Sequence, residues 1–293
     1  MFGRYAMRER RRLSNAVAIG HGMIAFVRMS EIFNPVRRRL AAGEPVFAIT
    51  ITVPSIEVAA QAAHLGFDFL WIEMEHSPIT LETLRAMVLA TRGSPAAPFA
   101  RVPVNEPWAA KRVLDAGVHG VMFPFTSSPE LARQAVAACR YPPAGRRGSG
   151  PGLASFSWPQ ALAYHDSADA NVFVIVIVEE ACAVDQIEEI AATPGIDAIF
   201  IGTSDLSFSY GLRGRQDEPQ LTGAIQKVVN AAHKNNLPVG RPAGTPEQVE
   251  KFRAQGFSLF QVKTELGFFT AGARDFLSAA GRAVAQPQTK SLY

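Results

Sequence analysis

The sequence contains little cysteine and has no long hydrophobic run. Only two of its 293 residues are cysteines, Cys139 and Cys182, which excludes the dense disulfide framework of small secreted domains. The longest apolar run, Val172 to Val178, has the length of a strand and is far too short to cross a membrane. We therefore expect a reduced, cytoplasmic globular protein without a membrane partner. Its two cysteines are expected to be small core residues, and a single disulfide between them is the alternative.

Acidic residues are scarce near the N-terminus, and this makes the charge distribution uneven. Residues 1–43 hold nine Arg against two Glu, a net charge of +7. The whole chain carries +3, so residues 44–293 carry 3 − 7 = −4. Such a run can contact nucleic acid or anionic lipid, but no aromatic interleaving or nucleic-acid module accompanies it. The favoured interpretation is a basic extension over 1–43, disordered at its start, or an upstream start codon with Met29 as the true start.

From residue 44 onward, short apolar runs alternate with segments of helical periodicity. Gly, Pro or Asp bounds most of the apolar runs, as is typical of strands followed by turns. The predicted strands are 46–52, 68–73, 98–103, 119–123, 172–178, 197–202, 237–241 and 258–263, and the predicted helices are 55–65, 80–92, 107–115, 129–139, 183–192, 220–235, 246–254 and 266–283.

Eight strand–helix pairs in a chain of this length predict a (β/α)₈ TIM barrel over residues 44–283, followed by a loose tail at 284–293. A doubly wound open sheet is the rival fold, but no GxGxxG sequence follows the first strand to support it. The segment 141–168, which includes the Gly-rich stretch 145–152, is predicted to be one long loop between the fourth helix and the fifth strand.

Ionisable side chains follow several of the predicted strands. Since barrel enzymes place their active sites at the carboxyl ends of the strands, these residues are expected to converge although they are distant in sequence. They are Glu73, Glu75, His76, Arg101, Glu179, Glu180, Asp205, Lys263 and Glu265.

The residue types at this rim suit acid–base chemistry next to a hard metal ion. Glu179 and Asp205 offer the oxygen ligands that Mg²⁺ or Mn²⁺ prefers, and such a cation stabilises an enolate formed from a 2-oxo acid. Arg101 would share the developing negative charge, and His76 is a candidate base. The alternatives are structural: His76 caps the following helix, Glu179 is solvated beside Glu180, and Arg101 pairs with a neighbouring acid at the end of the second strand.

Four stretches of the sequence resemble a known enzyme family. They are "GFDFLWIEMEH", "LDAGVHGVMFP", "CRYPPAGRRGSG" and "DAIFIGTSDLSFSYG". In order, spacing and predicted barrel position they resemble the HpcH/HpaI aldolases over about residues 34–280. These are metal-dependent (class II) pyruvate aldolases that include 4-hydroxy-2-oxoheptanedioate and 2-keto-3-deoxy-rhamnonate aldolases.

The resemblance implies cleavage of a 4-hydroxy-2-oxo acid to pyruvate and an aldehyde, and the reverse addition. It implies a homo-oligomer, a trimer or a hexamer of trimer-related subunits, whose last helices are exchanged between neighbours. It implies a divalent cation, Mg²⁺ or Mn²⁺ with Co²⁺ possible. By this resemblance, Glu179 and Asp205 are the metal ligands. Arg101, His76 and Asp115 belong to the catalytic machinery, and in some family members the residue that matches Asp115 acts across a subunit boundary. The backbone from Gly202 through Thr203 and Ser204 to Asp205 receives the substrate carboxylate.

The sequence also departs from the family pattern around these positions. The usual "IDGEH" is "IEMEH" here, so the catalytic acid is the longer Glu73. The other substitutions are Thr50 for Trp, Ile177 for a Gln that lines the substrate site, Thr203 and Ser204 in place of "PA", Lys263 to Glu265 in place of "GVD", and Arg241 where a small apolar residue is usual. They leave open an oxaloacetate decarboxylase or other enolate-using enzyme, a lyase of CoA thioesters, and a catalytically silent barrel that binds a metabolite.

Overall fold

Eight parallel strands close into a barrel, as the alternating sequence pattern predicts. The computed structural model describes residues 16–17, 27–28, 32–158 and 163–282. Strands β3 to β10 follow one another around the barrel and β10 pairs with β3 to close it, whereas β1 and β2 form a short antiparallel pair. The strands are β1 (Ala16–Val17), β2 (Val27–Arg28), β3 (Val46–Ile51), β4 (Phe69–Glu73), β5 (Ala97–Arg101), β6 (Gly120–Phe123), β7 (Phe173–Val178), β8 (Ala198–Ile201), β9 (Val239–Pro242) and β10 (Leu259–Thr264).

The helices begin at sequence signals that satisfy their first backbone N–H groups. Side chains of Ser55, Thr80, Ser128, Thr245 and Thr264 each accept a hydrogen bond from a first-turn N–H. The helices are α1 (Pro35–Ala41), α2 (Ile56–Ala62), α3 (Leu81–Ala90), α4 (Pro107–Ala116), α5 (Pro129–Cys139), α6 (Gly152–Ser157), α7 (Tyr164–Asn171), α8 (Ala181–Asp185), α9 (Ile187–Ala191), α10 (Thr203–Ser209), α11 (Pro219–Lys234), α12 (Pro246–Arg253) and α13 (Glu265–Ala279).

Alternate residues of each barrel strand fill the interior. Phe69, Phe99 and Phe173 stack inside, with ring centroids 4.7 Å apart between the first two and 5.8 Å apart between the last two. Gly120 makes room for this stack, because a Cβ at that position would lie 2.5 Å from the ring of Phe99. The residues between them point outward and pack under the helices. The interior between the two ends of the barrel is therefore closely packed, and the cavities described below lie at its ends.

Helix α1 covers the N-terminal end of the barrel. Val36 is fully buried among the interior residues, and the Arg37 guanidinium lies 2.8 Å from the Asp197 carboxylate just before β8. Asn34 caps the helix and donates to the backbone carbonyl of Asn171. Part of the basic stretch 1–43 is thus built into the barrel. The segment "RERRRLSN" at 8–15 and the tail 284–293 lie outside the described residues.

The segment 141–168 is not one loop, contrary to the prediction. It contains α6 and the start of α7. The composition of α6, "GLASFS", gives no helical periodicity, but its packing against α4 stabilises it. A Cβ at Gly117 would lie 2.9 Å from Cβ of Ser157, and the Trp158 indole donates to the Gly117 carbonyl. Tertiary contact here overrides local propensity.

Two other segments also differ from the prediction. The predicted helix 183–192 is two short helices, α8 and α9, that meet at Gln186. The segment that follows β8 was predicted only as a strand end and forms helix α10. Cys139 is buried as expected, whereas Cys182 is exposed, and both are free thiols. Within the described ranges no helix is both long and apolar enough to cross a bilayer.

One buried histidine predicts how the stability of the fold depends on pH. His119 precedes β6 and packs edge-on against Phe33 and Trp158, at centroid distances of 5.3 and 5.4 Å. Burial lowers its pKa from 6.5 to about 4, because the charged imidazolium is poorly solvated there. The unfolded chain therefore binds a proton that the folded chain does not between these pH values. The contribution to stability is complete above pH 6.5 and is lost as the pH falls towards 4.

The variant His119→Phe keeps a ring in this position and removes the titration. Between pH 7 and pH 4 the unfolding free energy of the parent protein should fall further than that of the variant, by up to roughly 3 kcal/mol, since each pKa unit corresponds to about 1.4 kcal/mol. Urea denaturation at several pH values measures the difference. His64→Gln is the control, because His64 is exposed, and it should keep the parental slope. Parallel pH curves for His119→Phe and the parent would contradict this account.

Candidate active site

The C-terminal rim of the barrel contains a cavity of about 290 Å³. Four of the ionisable residues that were expected to meet there do so: His76, Arg101, Glu179 and Asp205 line it, and so does Ile177, which was expected to line the substrate site. Gly202, Thr203 and Ser204 of the same prediction line it too, together with Trp71, Phe200, Pro242 and Gln261. Strand order alone explains this convergence, because all eight strands point the same way.

Arg101 is the central cation of the site. It ends β5 in direct register with Glu73, the last residue of β4. Nε and Nη2 of Arg101 each lie 2.6 Å from Glu73 Oε2, and Nη1 lies 2.8 Å from Glu75 Oε2. Burial alone would lower the pKa of the guanidinium, but the carboxylates of Glu73, Glu75 and Glu179 outweigh it and raise the pKa. Arg101 therefore stays charged, and each of its two terminal nitrogens carries a further N–H.

Glu73 is buried and its carboxylate is fully engaged. Besides Arg101, it accepts hydrogen bonds from the Trp71 indole at 3.2 Å and from the backbone N–H groups of Glu75 and His76 at 2.7 and 3.1 Å. The structural alternative, in which Arg101 pairs with this acid, is therefore what the structure shows. Glu73 does not line the cavity, so its geometry is that of a residue that positions Arg101 and the turn carrying His76.

His76 stands at the mouth of the cavity with Glu75 beside it. Its Nε2 lies 3.6 Å from Glu75 Oε2, and 43% of its side chain is exposed. Burial raises the pKa of the Glu75 carboxyl, and the charges of Arg101 and His76 oppose that shift. The imidazole is thus accessible to a substrate, with the Glu75 carboxyl on its other side.

Glu179 directly follows β7 and is held in a tight cradle. It is 2% exposed. Its Oε1 accepts a hydrogen bond of 2.7 Å from the backbone N–H of Phe125, a residue in the left-handed region at φ 47°. Its Oε2 lies so close to Gly202 that a Cβ there would be 2.5 Å away. Burial raises the pKa of Glu179 to about 7, and the charges of Glu75 and Asp205 add to this.

Helix α10 brings Asp205 and three backbone positions to the same cavity. Asp205 lies in its first turn, and the first bond within the helix runs from the Leu206 N–H to the Gly202 carbonyl. The N–H groups of Thr203 and Ser204 therefore precede the helical ladder. The N–H of Gly202 is different, since it donates to the Val178 carbonyl. Of the backbone groups predicted to receive a substrate carboxylate, the N–H of Gly202 is therefore already used within the barrel.

The donor set fits a hard dication. The buried Glu179 and the half-buried Asp205 both line the cavity, and a cation between them would relieve the burial penalty that raises the pKa of Glu179. In the described part of the chain no group of three or more His, Cys, Asp or Glu side chains has metal-holding geometry. Two protein carboxylates, with the remaining positions left to water and substrate oxygens, are what Mg²⁺ usually takes.

Asp115 is not brought to this cavity within one chain. It sits near the end of α4, on the outside of the barrel, where its Oδ1 lies 3.8 Å from Nη2 of the buried Arg147. Gly150 is close by, since a Cβ there would be 2.6 Å from Asp115 Oδ2. A role for Asp115 in catalysis therefore requires a neighbouring subunit.

Four other rim residues have structural contacts instead of facing the cavity. Glu265 accepts from the backbone N–H and the hydroxyl of Thr52 at 2.7 and 2.9 Å, and so fixes the loop after β3. Glu180 accepts from the Ser127 hydroxyl. Lys263 lies 5.7 Å from the ring centroid of Phe268. Arg241 stacks 3.6 Å from the ring centroid of Phe252, outside the barrel.

Trp71 and Phe200, in the apolar wall of the cavity, and the backbone N–H of Phe125 were not among the site residues expected from the sequence. Trp71 and Phe200 pack edge to face at 4.8 Å inside the barrel and line the site. Trp71 lies two positions before Glu73 on the same strand, so the period-two pattern of strands was the available signal. The Phe125 N–H carries no side-chain signal, because a backbone group at φ 47° cannot be read from the residue type.

Comparison with known proteins agrees with this geometry. The model of the HpcH/HpaI aldolase/citrate lyase family matches residues 52–271. The chain is 33% identical over 255 residues to a hydroxypyruvate/pyruvate aldolase of Paraburkholderia phytofirmans, covering 85% of this chain and 98% of that one. It is 35% identical over 209 residues to a 5-keto-4-deoxy-D-glucarate aldolase of Shigella dysenteriae, covering 71% and 82%.

A solved structure extends the similarity to three dimensions. It is an HpcH/HpaI aldolase/citrate lyase family protein from Burkholderia cenocepacia, with a TM-score of 0.79 and 34% identity, covering 85% of this chain and 99% of that one. Sequence, fold and the arrangement of the rim lead to one assignment: the chain belongs to the HpcH/HpaI aldolase/citrate lyase family.

Proposed function

We propose that this protein is a divalent-metal-dependent carbon–carbon lyase that cleaves a 4-hydroxy-2-oxo acid to pyruvate and an aldehyde, and catalyses the reverse addition. The observation that carries the proposal is the meeting of Glu179, Asp205, Arg101 and His76 in one cavity. Enolate chemistry on a 2-oxo acid needs a fixed positive charge, ligands for a metal ion and a group that transfers a proton. Arg101, the pair Glu179 and Asp205, and His76 supply these in turn. The two relatives compared above are both named as aldolases.

The 2-oxo acid is held by Arg101 and the start of α10. Arg101 retains one N–H on each terminal nitrogen for the substrate oxygen, and Glu73 and Glu75 fix the plane of its guanidinium. The substrate carboxylate is placed against the first-turn N–H groups of Thr203 and Ser204. Glu179 and Asp205 would hold Mg²⁺ or Mn²⁺, which when bound supplies a Lewis acid for the 2-oxo group.

His76 is the group that moves the proton. In the cleavage direction it accepts the proton of the C4 hydroxyl, the C3–C4 bond breaks, and the electron pair stays on the pyruvate part as an enolate. The imidazolium of His76 then donates its proton to C3 of that enolate, which gives the methyl group of pyruvate and returns His76 to its neutral form. Glu75, 3.6 Å away, stabilises the imidazolium that forms. Ile177, Phe200 and Trp71 close the cavity on its apolar side, which keeps water from the enolate.

We further propose that the protein works as a homo-oligomer in which α13 packs on a neighbouring subunit. No residue of α13 is buried in the single chain. Phe269 and Phe276, seven positions apart and so on one face of the helix, are each 74% exposed. An apolar surface of this kind is typical of a subunit interface. The same assembly is needed to bring a partner subunit to the outward-facing Asp115.

The metal site can be tested by the isosteric substitution Glu179→Gln. Loss of the buried charge should weaken Mn²⁺ binding by on the order of 100-fold, since weakening even a supporting contact of a metal ligand costs about 10- to 100-fold. Isothermal titration calorimetry of the metal-free protein measures this. Glu180→Gln is the matched control, because the adjacent carboxylate binds Ser127 outside the cavity, and it should keep parental affinity. Unchanged affinity in Glu179→Gln would place the metal elsewhere.

The enolate step can be tested with pyruvate alone. In D₂O with Mn²⁺ or Mg²⁺, the parent protein should exchange the methyl protons of pyruvate for deuterium, as followed by proton NMR. His76→Gln should slow this exchange by on the order of 10²- to 10⁴-fold, the usual contribution of a general acid–base group. His64→Gln, an exposed histidine away from the rim, should not. Binding of metal and pyruvate by the parent protein without exchange would indicate a metabolite-binding barrel instead of an enzyme.

A further inference from the structure

A second cavity, of about 630 Å³, opens at the N-terminal end of the barrel. It is larger than the cavity of about 290 Å³ at the catalytic rim. The segments around it are the start of α1, the end of α3, the first residues of β5 and the turn after α6. Because the strands of a closed parallel barrel all begin at this end, the cavity is separated from the catalytic rim by the packed interior. Its volume lies within the range of small-molecule sites.

The charges around this cavity are all of one sign. Arg38 and Arg92 line it, and no Asp or Glu is among its lining residues. His119 lines it too but is neutral near pH 7, because burial lowers its pKa to about 4. Arg38 differs in this from its two neighbours in α1, since Arg37 pairs with Asp197 and Arg39 with Asp68. In the described ranges, neither Arg38 nor Arg92 makes an ion pair. The cavity therefore offers two guanidinium groups that no carboxylate of the described chain neutralises.

The remaining walls are aromatic and apolar. Phe33 and Trp158 pack edge to face at 4.8 Å, and both contact the ring of His119. The Nδ1 atom of His119 is buried and has no hydrogen-bond partner in the described structure. On the outer side, the Arg92 guanidinium lies 4.3 Å from the ring centroid of Phe156, which fixes it at the edge of the cavity. Cationic groups at the edge and aromatic rings inside suit an amphipathic anion.

We infer that this cavity is a second ligand site, for a small organic anion that joins one carboxylate to an aromatic body. The carboxylate pairs with Arg38 and Arg92. The aromatic body packs against the outer side of the Phe33–Trp158 ring pair and the apolar residues that line the cavity beside it, where it buries apolar surface. This site is independent of the aldol chemistry proposed above, because it shares no residue with the catalytic cavity.

The full chain can be tested with 2-naphthoate, which carries one carboxylate, one aromatic body and no 2-oxo group. Titration in the presence of EDTA, followed by calorimetry, should show saturable binding. The uncharged 2-naphthamide should bind at least about tenfold more weakly, because it lacks the charge that Arg38 and Arg92 recognise. Inorganic phosphate should not compete at equal concentration, because it lacks the aromatic body.

The double variant Arg38→Gln/Arg92→Gln should weaken 2-naphthoate binding at least about tenfold. Both side chains are exposed, so its thermal midpoint should stay near that of the parent. Arg85→Gln is the matched control, an exposed arginine on α3 that does not line the cavity, and it should leave the affinity unchanged. Absence of saturable binding or equal weakening by Arg85→Gln would each overturn the assignment, as would displacement of 2-naphthoate by Mn²⁺ with pyruvate in a parallel titration without EDTA.

Discussion

Closure of eight parallel strands is the constraint on which the rest of this structure depends. Every neighbouring pair of strands is parallel, including the pair of β10 with β3 that closes the barrel, so every carboxyl end reaches one rim and every amino end the other. The interior is filled by stacked phenylalanines, and open space is left only at the two ends. Both cavities described here are consequences of that geometry, and their different chemistry follows from what each end of the strands carries.

At the catalytic rim, one arginine decides the electrostatics. Arg101 neutralises Glu73 and Glu75 through direct contacts, and the buried pair is stable because further hydrogen bonds satisfy Glu73 completely. Glu179 makes no ion pair with a described residue, and its carboxylate accepts a hydrogen bond from the Phe125 N–H. Burial raises its pKa to about 7, although the Phe125 N–H and the charge of Arg101 oppose this shift. The site thus separates acids that shape the pocket from acids that remain available to bind a cation.

The substitutions that distinguish this sequence from the family pattern are explained in part by these contacts. Glu73 is one carbon–carbon bond longer than the usual aspartate and uses that length to reach both Arg101 and the Trp71 indole. Ile177 replaces a polar residue in the cavity wall, beside Trp71 and Phe200, so that wall is apolar. Arg241 stacks on Phe252 outside the barrel and is not part of the pocket. The metal ligands and the arginine are thus kept within a reshaped surrounding.

The local sequence pattern was sufficient to predict the strands and most helices, because hydrophobic residues recur with a period of two in strands and 3.6 in helices. It was also sufficient to predict that His76, Arg101, Glu179 and Asp205 converge, because a parallel barrel brings the carboxyl ends of all its strands to one rim. It was insufficient for α6, which exists because Gly117 and Trp158 pack against it. It was also insufficient for the roles of Glu73 and Glu265, since whether a carboxylate meets a substrate or a neighbouring N–H depends on side-chain direction in three dimensions. The second cavity, to which Arg38 comes from α1 and Arg92 from the turn after α3, was decided by tertiary packing alone. The sequence determined which residues stand at each end of the barrel; only the folded structure decided which of them are already paired and which remain free to bind.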